Sequence, residues 1–410
     1  MTIPAPQTDH LFLLMGGNPL PNAVAALTLL KPGGTPHIIH TRQTQTQAQN
    51  LMALLTTTFG YQPAALLDLD QSQAEAAVIR QQVQHRARGL RGTIGMNYTG
   101  GTKPMSVHAY RALAEVCPQA TFSYLDSNTS KITLDQDNSP SPQITLDAVL
   151  SLKQLFQLHG LRWRNTQPPL TTPIQPEAAT QLAQLQQRRE LAHNWRQWCS
   201  RSLLPLTKDR DYWLLEWQLA QVPPIPLDRL ASPLRDVLQT YLGAGPSTLS
   251  LAVATKLGFS TITDLCAWLD GLWLEHYTLA QVQSLNLSPE TTSQQVGLGF
   301  HIVEPEPHNP RYDKFEFDVA FMRGYHLFAL SCTTGTTRKG CKQKLLEASV
   351  RSRQLGGSEA RVALVCGYHR PEDLRAELEV MGRDKRIAVF GRYDWPQLGQ
   401  RIAEWVNGND

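Results

Sequence analysis

The sequence predicts an α/β protein with two sheet-containing parts joined by a helical region. In the N-terminal part, short apolar segments alternate with stretches of helical periodicity, as in βαβ units around a parallel sheet. In the C-terminal part, the predicted order is a helix, antiparallel strands, a second helix and a strand. A chain of 410 residues is longer than one typical core, so we expect two or three domains.

The first predicted strands bring several loops to one edge of the N-terminal sheet. Strands are predicted at residues 11–15, 37–41 and 93–96, with helical patterns after them. Ligands of such folds bind beside the carboxyl ends of the parallel strands, where the strand order reverses. The residues that follow these strands are therefore candidates for a binding site.

The most informative segment follows the strand at residues 93–96 and reads Asn97-Tyr98-Thr99-Gly100-Gly101-Thr102-Lys103. Adjacent glycines let a ligand approach the backbone, and the start of the next helix offers unpaired N–H groups to phosphate. The threonines add donors, and the lysine adds a compact positive charge. We expect ligand contacts from Gly17, Asn18, Pro19, Thr41, Asn97, Thr99, Gly100, Gly101, Thr102 and Lys103.

Motifs and charge exclude several classes of function. The Gly-rich segment is not a Walker A loop, and no GxGxxG fingerprint follows the first strand. An ordinary nucleotide-dependent oxidoreductase is therefore disfavoured. The net charge of +3 is too small to identify a nucleic-acid binder, although basic residues can still cluster locally.

Cysteine usage and hydropathy predict a cytoplasmic protein. The six cysteines are scattered without a CxxC pair, so neither a zinc site nor a disulfide framework is indicated. We see no signal peptide, and no segment approaches the roughly eighteen apolar residues of a membrane span.

We predict domain boundaries at residues 1–164, 165–245 and 246–410. The middle region opens with a Pro/Thr-rich linker and continues with a helical pattern, and its own chemistry is not readable. The last region is predicted to contain a helix around Glu275, strands up to Cys332, a helix at 342–354 and a strand at 361–366.

Two acidic residues carry the chemistry of the C-terminal region. Glu316 and Asp318 alternate with apolar residues, which places both carboxylates on one face of a predicted strand. Such a pair can hold a hard divalent cation, Mg²⁺ or Mn²⁺, through oxygen atoms.

These segments resemble a known combination of domains. The Gly-rich segment closely resembles the signature of CARF domains, the CRISPR-associated Rossmann-like sensors of cyclic oligoadenylates. The hairpin that contains Asp318 resembles the PD-(D/E)XK nuclease core of Card/Can-type effectors, in which this nuclease is fused to a CARF domain. The resemblance implies a Rossmann-like CARF domain, a helical linker region and a C-terminal restriction-endonuclease-like α/β domain.

The resemblance also implies a function. The family's proteins are ancillary effectors of type III CRISPR antiviral defence, in which a cyclic oligoadenylate, here expected to be cyclic tetra-adenylate, activates cleavage of DNA or RNA. A homodimer would form one symmetric pocket. Lys103 would contact phosphate, Thr99 and Thr102 would bond to ribose or phosphate, and Asn18 would line the pocket. Glu316 and Asp318 would hold the metal with Glu275 and a backbone carbonyl near Cys332.

The sequence departs from the family at the catalytic lysine. Thr333 stands where the core lysine is expected, and Ser331 stands where the acidic residue is expected. Lys339 or Lys342 could reach the site from another backbone position and stabilise charge on the phosphate. Two alternatives stay open: a degenerate nuclease that binds nucleic acid or protein under ligand control, and a ring nuclease that degrades the cyclic ligand.

Overall fold

The computed structural model describes residues 5–126, 129–136, 141–146, 148–285, 296–304, 314–380 and 386–408. Within these residues the chain forms two large sheets, one in each half, with a helical connector between them. None of the described helices is both long enough and apolar enough to cross a membrane.

The first sheet is doubly wound. Its strands are β1 (Thr8–Leu14), β2 (Leu30–His40), β3 (Ala65–Asp68), β4 (Ile94–Asn97), β5 (Thr121–Asp126), β6 (Lys131–Leu134) and β7 (Gln143–Thr145). They lie in the order β3-β2-β1-β4-β5-β6-β7, and the first five are parallel. The strand order therefore reverses between β1 and β4, where such folds bind ligands. The helices of this half are α1 (Leu20–Leu29), α2 (Gln45–Thr57), α3 (Ala76–Ala87), α4 (Lys103–Val116) and α5 (Leu152–Leu158).

The connector is helical, as its periodicity predicts, but it is broken into short elements. In chain order they are β8 (Arg162–Trp163), α6 (Pro176–Gln186), α7 (Arg189–Trp198), α8 (Leu204–Thr207), β9 (Lys208–Asp209), β10 (Tyr212–Trp213), α9 (Glu216–Leu219), β11 (Ile225–Pro226), α10 (Ser232–Leu242) and β12 (Thr248–Leu249). The helical pattern that follows the linker thus forms two helices, α6 and α7, and then a π turn, because the chain leaves helical geometry at Arg188.

The second sheet is mixed. After α11 (Ile262–Ala267) and α12 (Trp273–Ser284), it comprises β13 (Val296–Val303), β14 (Phe315–Arg323), β15 (His326–Thr333), β16 (Arg361–Cys366) and β17 (Ile387–Phe390), with α13 (Arg338–Gly356), α14 (Pro371–Val380) and α15 (Leu398–Asn407). The order is β17-β16-β15-β14-β13-β8. β13, β14 and β15 are antiparallel, and β15, β16 and β17 are parallel.

Apolar packing joins the connector to the second sheet. Trp195 and Trp198 of α7 belong to the same buried cluster as Trp273 of α12 and Trp395. A second cluster joins the two halves, because Leu11 and Leu327 pack into it from different sheets. β8 also pairs with β13, so the segment just before residue 164 enters the second sheet. The domain boundaries stay a prediction.

The helix that follows β15 is longer than the predicted 342–354. The Thr337 hydroxyl accepts from the N–H of Gly340, which caps the N-terminus of α13. Gly357 ends the helix with a φ of 66°, a conformation that side-chain-bearing residues rarely adopt. α13 therefore runs along the whole of β15, the predicted catalytic strand, and ends at the first half of the chain.

Candidate functional site

The loops after β1 and β4 meet at the carboxyl edge of the first sheet. A side chain at Gly100 would overlap the carbonyl oxygen of Leu14, and a Cβ at Gly16 would lie 3.2 Å from the N atom of Gly101. Gly101 itself has a φ of 74°. Gly100 is thus required by its contact with the backbone of β1, and Gly101 by its positive φ.

The polar residues of the signature mostly hold the loop in place. Asn97 is fully buried, donates to the Ser123 hydroxyl at 3.1 Å and accepts from the Thr99 N–H at 3.3 Å. The Thr99 hydroxyl accepts from the N–H of Leu125 at 2.7 Å. Thr102 caps α4 by accepting from Met105 and donates to the Gln73 carbonyl. The structure gives Asn97, Thr99 and Thr102 partners within the chain, whereas the sequence predicts contacts to a ligand.

Other predicted contacts are open at this edge. Lys103 is exposed at the first position of α4, and a Cβ at Gly17 would meet no atom within 4 Å. A cavity of about 580 Å³ opens beside them, lined by Thr41, Arg42, Gln43, Asp70, Gln71 and Gln73. The Thr102 bond to Gln73 joins the signature to the wall of this cavity. This edge of the sheet therefore provides a positive charge at Lys103, an accessible backbone at Gly17 and a cavity for a ligand.

The loop with Asn18 and Pro19 touches the second half of the chain. The side-chain Oδ1 of Asn18 accepts from the Leu20 N–H at 3.0 Å, and Pro19 precedes α1. The Asn18 amide nitrogen lies where a Cβ on Gly357 would stand. A residue predicted to line the ligand pocket thus contacts the end of α13.

The second site centres on Asp318, which is 8% exposed in β14. Its Oδ2 accepts from the Ser331 hydroxyl at 3.0 Å and from the Cys332 N–H at 2.6 Å. Both partners lie on β15, which pairs with β14 in an antiparallel register. The fold thus holds the predicted catalytic carboxylate rigidly and places Ser331 beside it.

Lys344 of α13 supplies a cation to this carboxylate. Its Nζ lies 3.7 Å from Asp318 Oδ2 and 3.5 Å from the carbonyl oxygen of Cys332. Burial alone lowers the pKa of Lys344, but the charges of Asp318 and Glu275 outweigh that effect, and the pKa is raised. Lys344 is therefore protonated at neutral pH and acts as a positive charge, not as a base.

Glu275 lies behind Asp318 on α12 and is buried. Burial raises the pKa of Glu275 well above its usual value, and the nearby charges of Asp318 and Glu316 raise it further. Both effects act against ionisation of this carboxyl group. Burial likewise raises the pKa of the Cys332 thiol, which disfavours the thiolate form that binds metals. The backbone carbonyl of Cys332, and not its sulfur, is therefore the candidate metal ligand.

Glu316 lies on the exposed rim of the site. Its Oε1 is 3.7 Å from His301 Nε2 on the neighbouring strand β13. Together with Asp318, Ser331 and Lys344 it lines a cleft of about 200 Å³. Glu347, Ala348 and Arg351 of α13 complete the wall. The cleft therefore combines carboxylates with two cations.

Lys339 and Lys342 lie outside the cleft, contrary to the expectation that one of them replaces the core lysine. Lys342 pairs with Glu377 of α14 at 2.8 Å, and Lys339 is exposed on the first turn of α13. Thr333 ends β15, and its hydroxyl accepts from the Gly335 N–H at 3.1 Å. Sequence patterns did not single out Lys344 or Glu347, although helical spacing places them on one face of the predicted helix together with Arg351.

The donors at this site fit a hard divalent cation only in part. In the regions the structure describes, no three His, Cys, Asp or Glu side chains converge closely enough to hold a metal ion by themselves. The Asp318 Oδ2 and the Cys332 carbonyl oxygen both lie near the Lys344 Nζ, at 3.7 and 3.5 Å, and Glu275 lies near Asp318. Mg²⁺ is often held by one or two carboxylates and completed by water and substrate phosphates. The site fits a metal of that kind.

Solved structures with the same fold cover nearly the whole chain. A protein of Vibrio cholerae, VC1899, has a TM-score of 0.69 and 15% identity over 98% of this chain and 99% of its own. Can2 from Sulfobacillus thermosulfidooxidans, solved in complex with cyclic tetra-adenylate, has a TM-score of 0.68 and 16% identity, with 97% and 99% covered. A type III CRISPR defence DNA nuclease activated by cyclic oligoadenylate has a TM-score of 0.49 and 16% identity, with 90% and 47% covered.

Sequence comparison adds no closer relative. No protein-family model matches the chain, and no curated protein matches it significantly in sequence. The predicted α/β class is confirmed, with a Rossmann-like parallel sheet in the first half and a mixed sheet in the second. The chain is therefore similar in fold to Can2 over nearly its full length.

Proposed function

We propose that this protein is a nuclease controlled by a cyclic oligoadenylate. The observation that carries the proposal is the placement of Lys344 beside the buried Asp318–Ser331 pair, in a cleft on the second sheet. Lys344 supplies a positive charge to the cleft. The lack of a lysine at position 333, where the chain has Thr333, is what favours a degenerate nuclease. The alternative of a binding module without catalysis thereby loses its main support.

Each group in the cleft has a role in phosphodiester cleavage. Asp318 and the Cys332 carbonyl would hold Mg²⁺ or Mn²⁺, with Glu275 as a further ligand once it loses its proton. The metal would act as a Lewis acid on the phosphate. Lys344, fixed by its two oxygen partners, stabilises negative charge that develops on the phosphate oxygens. Ser331 keeps Asp318 oriented.

The proposed ligand site lies at the carboxyl edge of the first sheet. Can2, which shares the fold, was solved with cyclic tetra-adenylate. In this chain the same edge carries the exposed Lys103, the open Gly17 backbone and the cavity beside Thr41 and Arg42. A ring of repeated adenylates is symmetric, so a pocket with the same symmetry would match it. A homodimer would form such a pocket.

Cleavage and ligand binding should separate in two variants. Asp318→Asn should abolish cleavage and leave cyclic tetra-adenylate binding unchanged, because it removes a charge in the cleft but barely changes shape. Lys103→Ala should weaken ligand binding by roughly 1.5–3 kcal/mol, the range for a hydrogen bond to a charged group. Calorimetric titration and a Mn²⁺-dependent cleavage assay with labelled DNA and RNA measure both effects.

Two results would contradict the proposal. If Asp318→Asn cut at the wild-type rate, the nuclease centre would lie elsewhere. If neither cyclic tetra-adenylate nor a ring of another size bound to the wild-type protein, the first sheet would not be a cyclic oligoadenylate sensor.

A further inference from the structure

Two arginines meet at the carboxyl edge of the second sheet without an acidic partner. Arg392 follows β17 and is only 4% exposed, and Arg196 is partly buried on α7. Within the described parts of the chain, neither guanidinium forms an ion pair, and the Nε of Arg392 has no hydrogen-bond partner. Burial lowers the pKa of Arg196, and the charge of Arg392 lowers it further, so the two cations are close.

The contacts of the two residues place them at the loops that follow β15 and β16. Arg196 donates to the hydroxyl of Thr336 at 2.8 Å, and Thr336 lies in the loop between β15 and α13. β15 carries Ser331 and α13 carries Lys344. The backbone N–H of Arg392 donates to the carbonyl of Tyr368, just after β16. The pair therefore lies where β15, β16 and β17 all end, a common position for ligands in parallel sheets.

Keeping two like charges together, one buried and one partly buried, disfavours folding unless an anion joins them. Arginine guanidinium groups match the oxygens of phosphate in a bidentate manner. No anion from the described residues satisfies this pair, which indicates a phosphate from outside the chain.

An exposed aromatic ring adjoins the pair. Tyr393 is 60% exposed, its hydroxyl accepts from Arg392 at 3.4 Å, and the Arg392 guanidinium carbon lies 5.2 Å from the ring centre. Phosphate-holding cations beside an exposed aromatic ring are the elements of single-strand recognition, in which bases stack on the ring.

We propose that Arg196, Arg392 and Tyr393 form a subsite for single-stranded nucleic acid, in which the arginines hold a backbone phosphate and an unpaired base stacks on Tyr393. This inference rests on the proposed nuclease function. It adds a place at which the substrate strand would leave the cleft. A paired base in a duplex cannot stack on the ring, so the subsite favours single strands.

Binding in the Asp318→Asn background tests the subsite without cleavage. Fluorescence anisotropy without divalent metal would measure the affinity for a labelled 20-nucleotide single strand and its duplex over a series of KCl concentrations. Arg196→Gln should weaken single-strand binding. It should also reduce the slope of the logarithm of the binding constant against the logarithm of the KCl concentration by about 0.7, the value for one phosphate contact. Arg189→Gln, an exposed arginine on the same helix, is the matched control and should change neither.

Tyr393 provides an independent readout. Tyr393→Ala should weaken single-strand binding about tenfold and change duplex binding little, whereas Tyr393→Phe keeps the ring and should bind normally. Arg392→Gln should also lose affinity while its thermal midpoint stays equal or rises, because a charge repulsion is removed. A lower midpoint with normal affinity would make Arg392 a structural residue and overturn the inference.

The remaining outcomes separate this inference from the proposed function. If Arg196→Gln and Tyr393→Ala bound single strands like their controls while wild type still cut, the subsite would be wrong and the nuclease would stand. If inorganic phosphate stabilised the protein through Arg196 while oligonucleotide binding ignored it, the pair would be a site for free anions. If the Asp318→Asn protein bound no single strand, the subsite would also be wrong. The cleavage assay on the wild-type protein would then test the nuclease function separately.

Discussion

In the proposed catalytic centre, the positive charge comes from Lys344 and not from the backbone position where a lysine is expected. The strand that would carry a lysine has Thr333 at that point, and the charge comes instead from the helix that packs on the strand. What matters for a phosphate in the cleft is the position of the ammonium group, not the element that supports it.

We predict that Lys344→Met lowers the rate of cleavage by about 10²–10³-fold, the usual effect of removing one group that stabilises charge in a transition state. Lys342→Met should change the rate little, because Lys342 pairs with Glu377 away from the cleft. Single-turnover cleavage at saturating ligand and Mn²⁺ measures both. Equal rates for the two variants would show that Lys344 is not part of the catalytic centre.

At the scale of the element, the glycine-rich turn is set by its contact with β1. Gly100 lies against the Leu14 carbonyl so closely that no side chain fits, and Gly101 takes a positive φ. The turn then directs α4 and Lys103 to the edge of the sheet.

Gly100→Ala should destabilise the first half by ~1–3 kcal/mol, the usual cost of overpacking, and should abolish ligand binding. Gly89→Ala is the control, because a Cβ there meets no atom within 4 Å and Gly89 is not a predicted ligand contact. Urea unfolding and calorimetric titration measure the two effects. A Gly100→Ala protein with wild-type stability and affinity would mean that the close contact to Leu14 is not required.

At the scale of the whole molecule, α13 connects the two candidate sites. It carries Lys344 in the cleft, and at its end the Leu355 carbonyl accepts from His159 Nε2 at 2.8 Å while Gly357 touches Asn18. A ligand that moves the loop after β1 can therefore shift the helix that carries Lys344. Such a ligand acts only through its different affinities for the two arrangements.

Asn18→Ala should reduce the ratio of cleavage with ligand to cleavage without it. The measurement uses saturating ligand, so that a change in affinity does not contribute. Gln43→Ala, in the cavity at the same edge, should change affinity but keep the activation ratio. If Asn18→Ala were activated as fully as wild type, the signal would not pass through this contact.

Buried neutral histidines predict how stability depends on pH. Burial lowers the pKa of His37 and His326 to about 3 and that of His159 and His276 to about 4. The unfolded chain takes up these protons near pH 6.5, whereas the folded chain does not. Stability is thus fully present above about pH 6.5 and is lost as pH falls toward the folded values.

Each such histidine adds at most ~1.4 kcal/mol per pH unit to the slope of the unfolding free energy. Urea unfolding between pH 7.5 and 5 should show this loss, and His37→Gln should make the slope shallower. His193→Gln, at an exposed position, should leave it unchanged. Equal slopes for His37→Gln and wild type would show that His37 is protonated in the folded protein.

The sequence alone was enough to predict features that depend on neighbours along the chain. Alternation of apolar and acidic residues placed Glu316 and Asp318 on one strand, and both line the cleft. The strand, glycine-rich turn and helix around Gly100 were predicted for the same reason, since their periodicities and turn residues are local. The helix that carries Glu275 was predicted from its apolar pattern, and the place of Glu275 beside Asp318 from the family resemblance.

The tertiary structure decided which of these residues face each other. Lys344 follows Asp318 by twenty-six positions, and only the packing of α13 on β15 brings its ammonium group to that carboxylate. Asn97 and Thr99 look like ligand contacts in the sequence, but their hydrogen bonds go to β5, which pairs with β4. A local pattern determines which face a side chain occupies, and long-range packing determines what lies opposite it.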